Sequence, residues 1–213
     1  PPSSEDPVAA SATPAPDKCA TERKTAAGAA DFSEDGPYSV RYDGKGKPYP
    51  AKVNRDDRLK VCPKAELVPL TADKKKLLDS IKAFKADGVT AGGIAAQWGY
   101  YMLSPQWRPA IVAAGLGDGP ADYDPKKAAK VAILMTDGQF NTAFAGVKDG
   151  DNPRNVQQAR SRANAEAICA NMKASGIEVY TIGFALGSSE KDQARAVLKT
   201  CASTDSGSIK HFF

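Results

Sequence analysis

One run of apolar positions stands out along the chain: Val131-Ala-Ile-Leu-Met135, which stops at once in Thr136-Asp137-Gly138. An apolar run without alternation is expected of a parallel strand covered on both faces. Elsewhere the pattern is helical. Leu77, Leu78, Ile81 and Phe84 share one face, with Asp73 in the first turn, where a carboxylate suits the helix dipole. Ile94, Trp98 and Met102 define a second helix that stops before Ser104-Pro105. An Ala-rich helix is expected over 155–175, closed by Gly176. Ile177–Phe184 reads as the next strand. Ser188 or Ser189 caps a helix on which Ala194, Val197, Leu198 and Cys201 share a face. Ile209–Phe213 reads as a last strand. Glu66–Leu70 reads as a short edge strand, because Pro69 cannot donate to a ladder. Asp124-Pro125 opens a short helix, and 106–123 reads as an irregular connection.

Strands alternating with helices mean an α/β fold with a mostly parallel sheet. Right-handed crossovers place the 155–175 and 189–202 helices side by side on one sheet face. Cys169 and Cys201 can then meet between them. Residues 1–60 differ from the rest. They hold eight of the 15 prolines, and their apolar positions show no sustained period. The organisation expected is an irregular Pro/Gly-rich excursion over 1–60 and an α/β domain over 61–213.

Composition narrows the function. The 213 residues are 42% hydrophobic and 25% charged, as in ordinary globular chains. The net charge is +4, and the one dense basic run, Lys74-Lys75-Lys76, fits a solvated helix face. No basic patch of the kind nucleic acids require is present. No apolar run approaches the ~20 residues that span a bilayer. The first residues carry neither the basic nor the apolar part of a signal peptide, and there is no initiator Met. The chain therefore reads as processed, or as a piece of something longer. The single histidine, His211, excludes a His-rich zinc site and leaves little for a nucleophile–histidine device. Four cysteines, Cys19, Cys62, Cys169 and Cys201, allow three pairings. Proximity in sequence favours Cys19–Cys62 and Cys169–Cys201, which implies an oxidising compartment.

Ligands of open α/β sheets bind at the carboxyl ends of strands. Asp137 sits at such an end and is placed for a hard cation, although Asp-Gly is also what an ordinary turn uses. Thr90, in a Gly-flanked loop, can add a hydroxyl oxygen. Mg²⁺ takes a few protein oxygens plus waters. A phosphate loop of the Walker type is missing.

Three strings carry a family resemblance: Gly88-Val-Thr-Ala-Gly-Gly-Ile94, Trp98-Gly-Tyr-Tyr-Met-Leu-Ser-Pro105 and Val131-Ala-Ile-Leu-Met-Thr-Asp-Gly-Gln-Phe-Asn-Thr142. Cys19-Ala-Thr-Glu-Arg23, Cys62–Leu70 and Val179–Phe184 fit as well. Together they resemble a von Willebrand factor A-type domain of the TadG-like, tight-adherence pilus-assembly proteins. The resemblance implies a Rossmann-like sheet with helices on both faces and a metal-ion-dependent adhesion site. Thr90 matches the family's threonine ligand and Asp137 its later aspartate. The family's Asp-x-Ser-x-Ser motif has no match, nor have its first strand, first helix and second strand. The chain thus corresponds to the C-terminal two-thirds of such a domain, with two of five side-chain ligands. Val131–Met135 is then left with an unpaired edge, an aggregation liability.

The function this implies is a non-catalytic cell-envelope adhesion or pilus-assembly module. It binds protein partners, by way of Mg²⁺ or another divalent cation. It lies in the periplasm or bacterial envelope, attached to a membrane only through an anchor this chain lacks. The alternatives are a metal-dependent α/β hydrolase-like enzyme and a structural domain with a decayed metal site. Against the enzyme stands the absence of a Gly-x-Ser-x-Gly nucleophile motif.

Overall fold

The chain was analysed as a computed structural model, which describes residues 22–25, 29–36, 40–42, 45–50, 52–53, 65–85, 90–138, 140–143, 157–186 and 192–213. Cys19, Cys62, Ser188 and Ser189 lie outside the described residues.

Two small antiparallel pairs occupy the N-terminal excursion. β1 (Arg23–Lys24) pairs with β4 (Lys52–Val53), and β2 (Val40–Tyr42) with β3 (Pro48–Pro50). The start of this region is fixed to the rest by buried polar groups. The Arg23 guanidinium lies 5.3 Å from the Tyr101 ring centre and 5.9 Å from that of Trp107. It donates to Ser33 Oγ and to the carbonyls of Asp35 and Gly36. Glu22 Oε1 accepts from Asn164 Nδ2 at 2.8 Å. Gln97 accepts from the Arg23 N–H and donates to the Asp31 carbonyl. Buried charges persist only where such partners exist.

Next come α1 (Lys74–Lys82), α2 (Gly92–Leu103), a 3₁₀ turn (Pro105–Trp107) and α3 (Arg108–Ala113). Asp73 is the N-cap of α1, accepting from the Lys76 N–H, rather than a first-turn residue. α1 buries none of its side chains, and Leu77, Leu78 and Ile81 are all exposed. Phe84 lies beyond its end. The expected strand at 66–70 does not form. Pro69 lacks an N–H, and no strand runs beside this stretch among the described residues. Leu67 and Pro69 instead line an apolar hollow of about 280 Å³ with Trp98, Met102, Trp107 and Ile111.

The expected irregular connection over 106–123 contains α3. Ser104 ends α2 and starts the 3₁₀ turn, its Oγ accepting from the Gln106 N–H at 3.2 Å. Trp107 and Ile111 then pack on Trp98 and Tyr101. The short helix expected at Asp124 is a single turn. The Asp124 carbonyl accepts from Lys127 and Ala128, and its side chain accepts from the Lys126 N–H. Lys130 then ties the chain down, donating to the carbonyls of Leu103 and Ala121, both at 2.5 Å.

The centre of the fold is parallel. β5 (Val131–Thr136) pairs with β6 (Glu178–Gly183), from Val131 opposite Glu178 to Thr136 opposite Gly183. Between them runs α4 (Gln158–Ala174), and α5 (Asp192–Cys201) follows. Gly176 closes α4 at φ +79°, a left-handed turn that suits glycine. The expected last strand is reduced to single bridges, Phe212 to Thr181 and Ser206 to Ile209. Even so, Thr181 and Gly183 donate to the carbonyls of His211 and Phe213.

The architecture is mixed α and β about a two-stranded parallel sheet. Ala132, Leu134, Val179 and Thr181 face α2, α4 and α5. Among the described residues no helix covers the β5 part of the other face, which departs from the expectation of burial on both sides. Val131, Ile133 and Met135 are 42%, 65% and 59% exposed. Among the described residues the helices that cover the sheet lie on one face, and α1 buries no side chain.

Candidate functional site

Two of the strings that carry the resemblance, around Thr90 and around Asp137, meet at the carboxyl end of β5. Phe140 is 1% exposed and packs on Ala165, Cys169, Val197 and Cys201. It lies so close to the start of α2 that a Cβ on Gly92 would sit 2.3 Å from its ring. Only glycine lets this helix begin there. The chain on either side is then sewn together. The Thr90 N–H donates to Asn141 Oδ1 at 2.6 Å, and the Asn141 and Thr142 N–H groups donate to the Thr90 carbonyl at 2.9 and 3.2 Å. Gln157, just before α4, accepts from the Thr142 hydroxyl at 2.8 Å.

Asp137 is exposed on the turn directly after β5. That turn is held by Thr136, whose Oγ1 accepts from the Gly138 N–H at 3.2 Å. Thr90 and Asp137 therefore stand on two loops that meet at the same end of the sheet through Asn141. Their oxygens are hard donors of the kind Mg²⁺ takes. Among the described residues no three His, Cys, Asp or Glu side chains cluster as a metal site by themselves. A cation here needs further oxygens from water or a partner.

Of the four cysteines, Cys169 and Cys201 are bonded to each other across α4 and α5, with Cα atoms 5.0 Å apart. The adjacency of two helices on one sheet face brings them together, as the topology requires.

Sequence reasoning missed two other polar clusters. Glu34 accepts from the Ser104 hydroxyl at 2.5 Å and from the Tyr123 hydroxyl at 2.6 Å. Burial and this carboxylate push the Tyr123 hydroxyl upward in pKa. At the other end of the sheet, His211 is buried. Its Nε2 lies 2.8 Å from Glu178 Oε1, its ring tilts against Tyr180, and its N–H donates to Asp205 Oδ1 at 3.0 Å. The hydrogen bond from His211 holds the Glu178 carboxyl below its usual range. Lys210 does the same for Asp205. His211 sits at the start of β6, far in sequence and register from Asp137 at the opposite end of β5, and the two do not form one site. No signal in the sequence linked a lone terminal histidine to Glu178.

Comparison with models of protein families, with curated proteins and with solved structures returned no match.

Proposed function

We propose that this chain is a von Willebrand factor A-type module of the TadG-like kind, acting in adhesion or pilus assembly at a bacterial envelope. It binds protein partners and performs no catalysis. A divalent cation, Mg²⁺ or a similar ion, is held between Thr90, Asp137 and oxygens from water or the partner. One observation carries this reading. The Thr90 loop is hydrogen-bonded to Asn141, four residues past Asp137, at the strand end where cation-dependent binding is expected. The Cys169–Cys201 bridge supports an oxidising location such as the periplasm.

The cation supplies positive charge and open coordination positions for a partner's carboxylate. The protein's part is to hold the hydroxyl of Thr90 and the carboxylate of Asp137 on loops that Phe140 and Asn141 pin to the sheet. The test is thermal unfolding in rising MgCl₂ or MnCl₂, with chelator as control. Binding to the folded state raises the transition temperature. Wild type shifts upward, and Asp137→Ala and Thr90→Val do not, while both variants keep the wild-type transition in chelator. An equal shift in all three proteins, or none in wild type, removes the cation from the account.

A further inference from the structure

The start of the Pro/Gly-rich excursion lies along one stripe of α2. Gly93, Gln97 and Tyr101 share a face of the helix, and Ser104 at its C-cap continues it. Each of the four meets the excursion. A Cβ on Gly93 would lie 3.0 Å from Glu22 Oε1. Gln97 accepts from the Arg23 N–H at 3.1 Å and donates to the Asp31 carbonyl at 2.7 Å. The Arg23 guanidinium lies over the Tyr101 ring. The Ser104 hydroxyl donates to Glu34 Oε2. The excursion thus follows α2 from its first turn to its C-cap, about 16 Å at ~1.5 Å per residue.

Gln97 stands alone in α2 among apolar, glycine and tyrosine residues, and it is 1% exposed. Glu22, Arg23 and Ser104 are buried with it. Buried polar groups are costly without partners, so lifting the excursion from α2 strands several at once. The contact is therefore made or broken as a unit. Its effect reaches the cation loops through the helix itself. Thr90 lies two residues before α2, and Gly92 at the helix start is set against Phe140. A shift of α2 along or about its axis carries Thr90 with it and strains its bonds to Asn141 and Thr142.

We propose that residues 22–25 and 29–36 form a strap that sets the position of α2, and so couples the excursion to the Thr90–Asn141 contact at the end of the sheet. Glu22 and Glu34 are positioning residues: they act on α2 and touch no ligand. A partner that draws the excursion off α2 weakens the site at Thr90 and Asp137. By reciprocity, a ligand held there tightens the strap. The statements about a ligand rest on the cation reading above, whereas the coupling between strap and Thr90 does not.

The test is amide hydrogen exchange on the whole chain. Glu34→Ala cuts the strap at the end of α2 far from Thr90. The expected result is exchange at Thr90, Asn141 and Thr142 faster by about tenfold. Glu178, Thr181 and Gly183, whose N–H groups are bonded in the sheet, keep wild-type rates. Glu34→Gln retains an acceptor for Ser104 and restores the slow rates. If Glu34→Ala does not fold, Ser104→Ala removes the same bond from the helix side. The proposal is overturned if the three loop amides keep wild-type rates, if the sheet amides speed up by the same factor, or if Glu34→Gln fails to restore them. Excess Mg²⁺ then separates the two readings. Slowing at Thr90 together with Arg23 and Asp31, whose N–H groups donate to Gln97 and to the Arg23 carbonyl, supports both. Slowing at Thr90 without Arg23 and Asp31 keeps the cation and overturns the strap. No slowing anywhere removes the cation, and the Glu34 comparison alone decides the strap.

Discussion

Gly92 and Phe140 meet across a separation of 48 positions, with no room at Gly92 for even a methyl group. Gly92→Ala must shift Phe140 out of its place among Ala165, Cys169 and Val197, or shift the start of α2. Overpacking of this kind costs about 1–3 kcal/mol. Chemical denaturation checks the loss, and the Thr90–Asn141 bonds should loosen with it. At the opposite end of the sheet, Glu178 and Asp205 have carboxyls held low by hydrogen bonds from His211 and Lys210. A carboxyl whose folded value is depressed stabilises fully above its unfolded value, about 4.3 for Glu and 3.9 for Asp. That contribution fades as pH falls through the lower folded values. Glu178→Gln should therefore flatten part of the fall in unfolding midpoint below about pH 4.3, and leave a smaller difference from wild type at the acid end than at neutrality. Midpoints measured in urea from pH 2 to pH 7 decide it.

Helices α2, α4 and α5 and strands β5 and β6 were readable from the pattern of apolar positions, because each has one face committed to a core. The elements that escaped lack such a face or share their start with another signal. Ser104-Pro105 marks both the stop of α2 and the start of the turn leading into α3. At 66–70 a short apolar segment, read as an edge strand, has no neighbour to pair with among the described residues. The candidate site was half legible. Thr90 and Asp137 stand in recognisable strings, whereas the Asn141 bond and the Phe140 plug are contacts between distant positions that no local period encodes. The Cys169–Cys201 bond closes a separation of 32 residues between α4 and α5. Loop-closure entropy assigns it about 3–4 kcal/mol. Replacing both cysteines with serine should lower stability by about that much, measured as a drop in denaturation midpoint that added reductant also produces in the native chain.

At the scale of the whole molecule, burial is lopsided. The core lies between one face of the sheet and the helices α2, α4 and α5, and the residues after Glu22 are pinned to that side through Arg23, Gln97 and Asn164. The open face of the sheet shows Val131, Ile133 and Met135, and α1 exposes Leu77, Leu78 and Ile81. Apolar surface on this scale marks an interaction site or an aggregation hazard. Placing a charge at Ile133 should raise solubility without touching the buried side, so light scattering against concentration separates Ile133→Lys from wild type.

The bridge between α4 and α5 also has a mechanical meaning. All of β6 lies inside the covalent loop it closes. A load drawn between the two ends of the polypeptide passes through the sulfurs and skips that stretch. Residues 169–201 then stay out of the extending thread, which withholds roughly 110 Å of length at about 3.4 Å per residue. A tether that breaks open only as far as its crosslink keeps one strand, all of α5 and the end of α4 unstretched under tension, and gives them up only when a reductant is present.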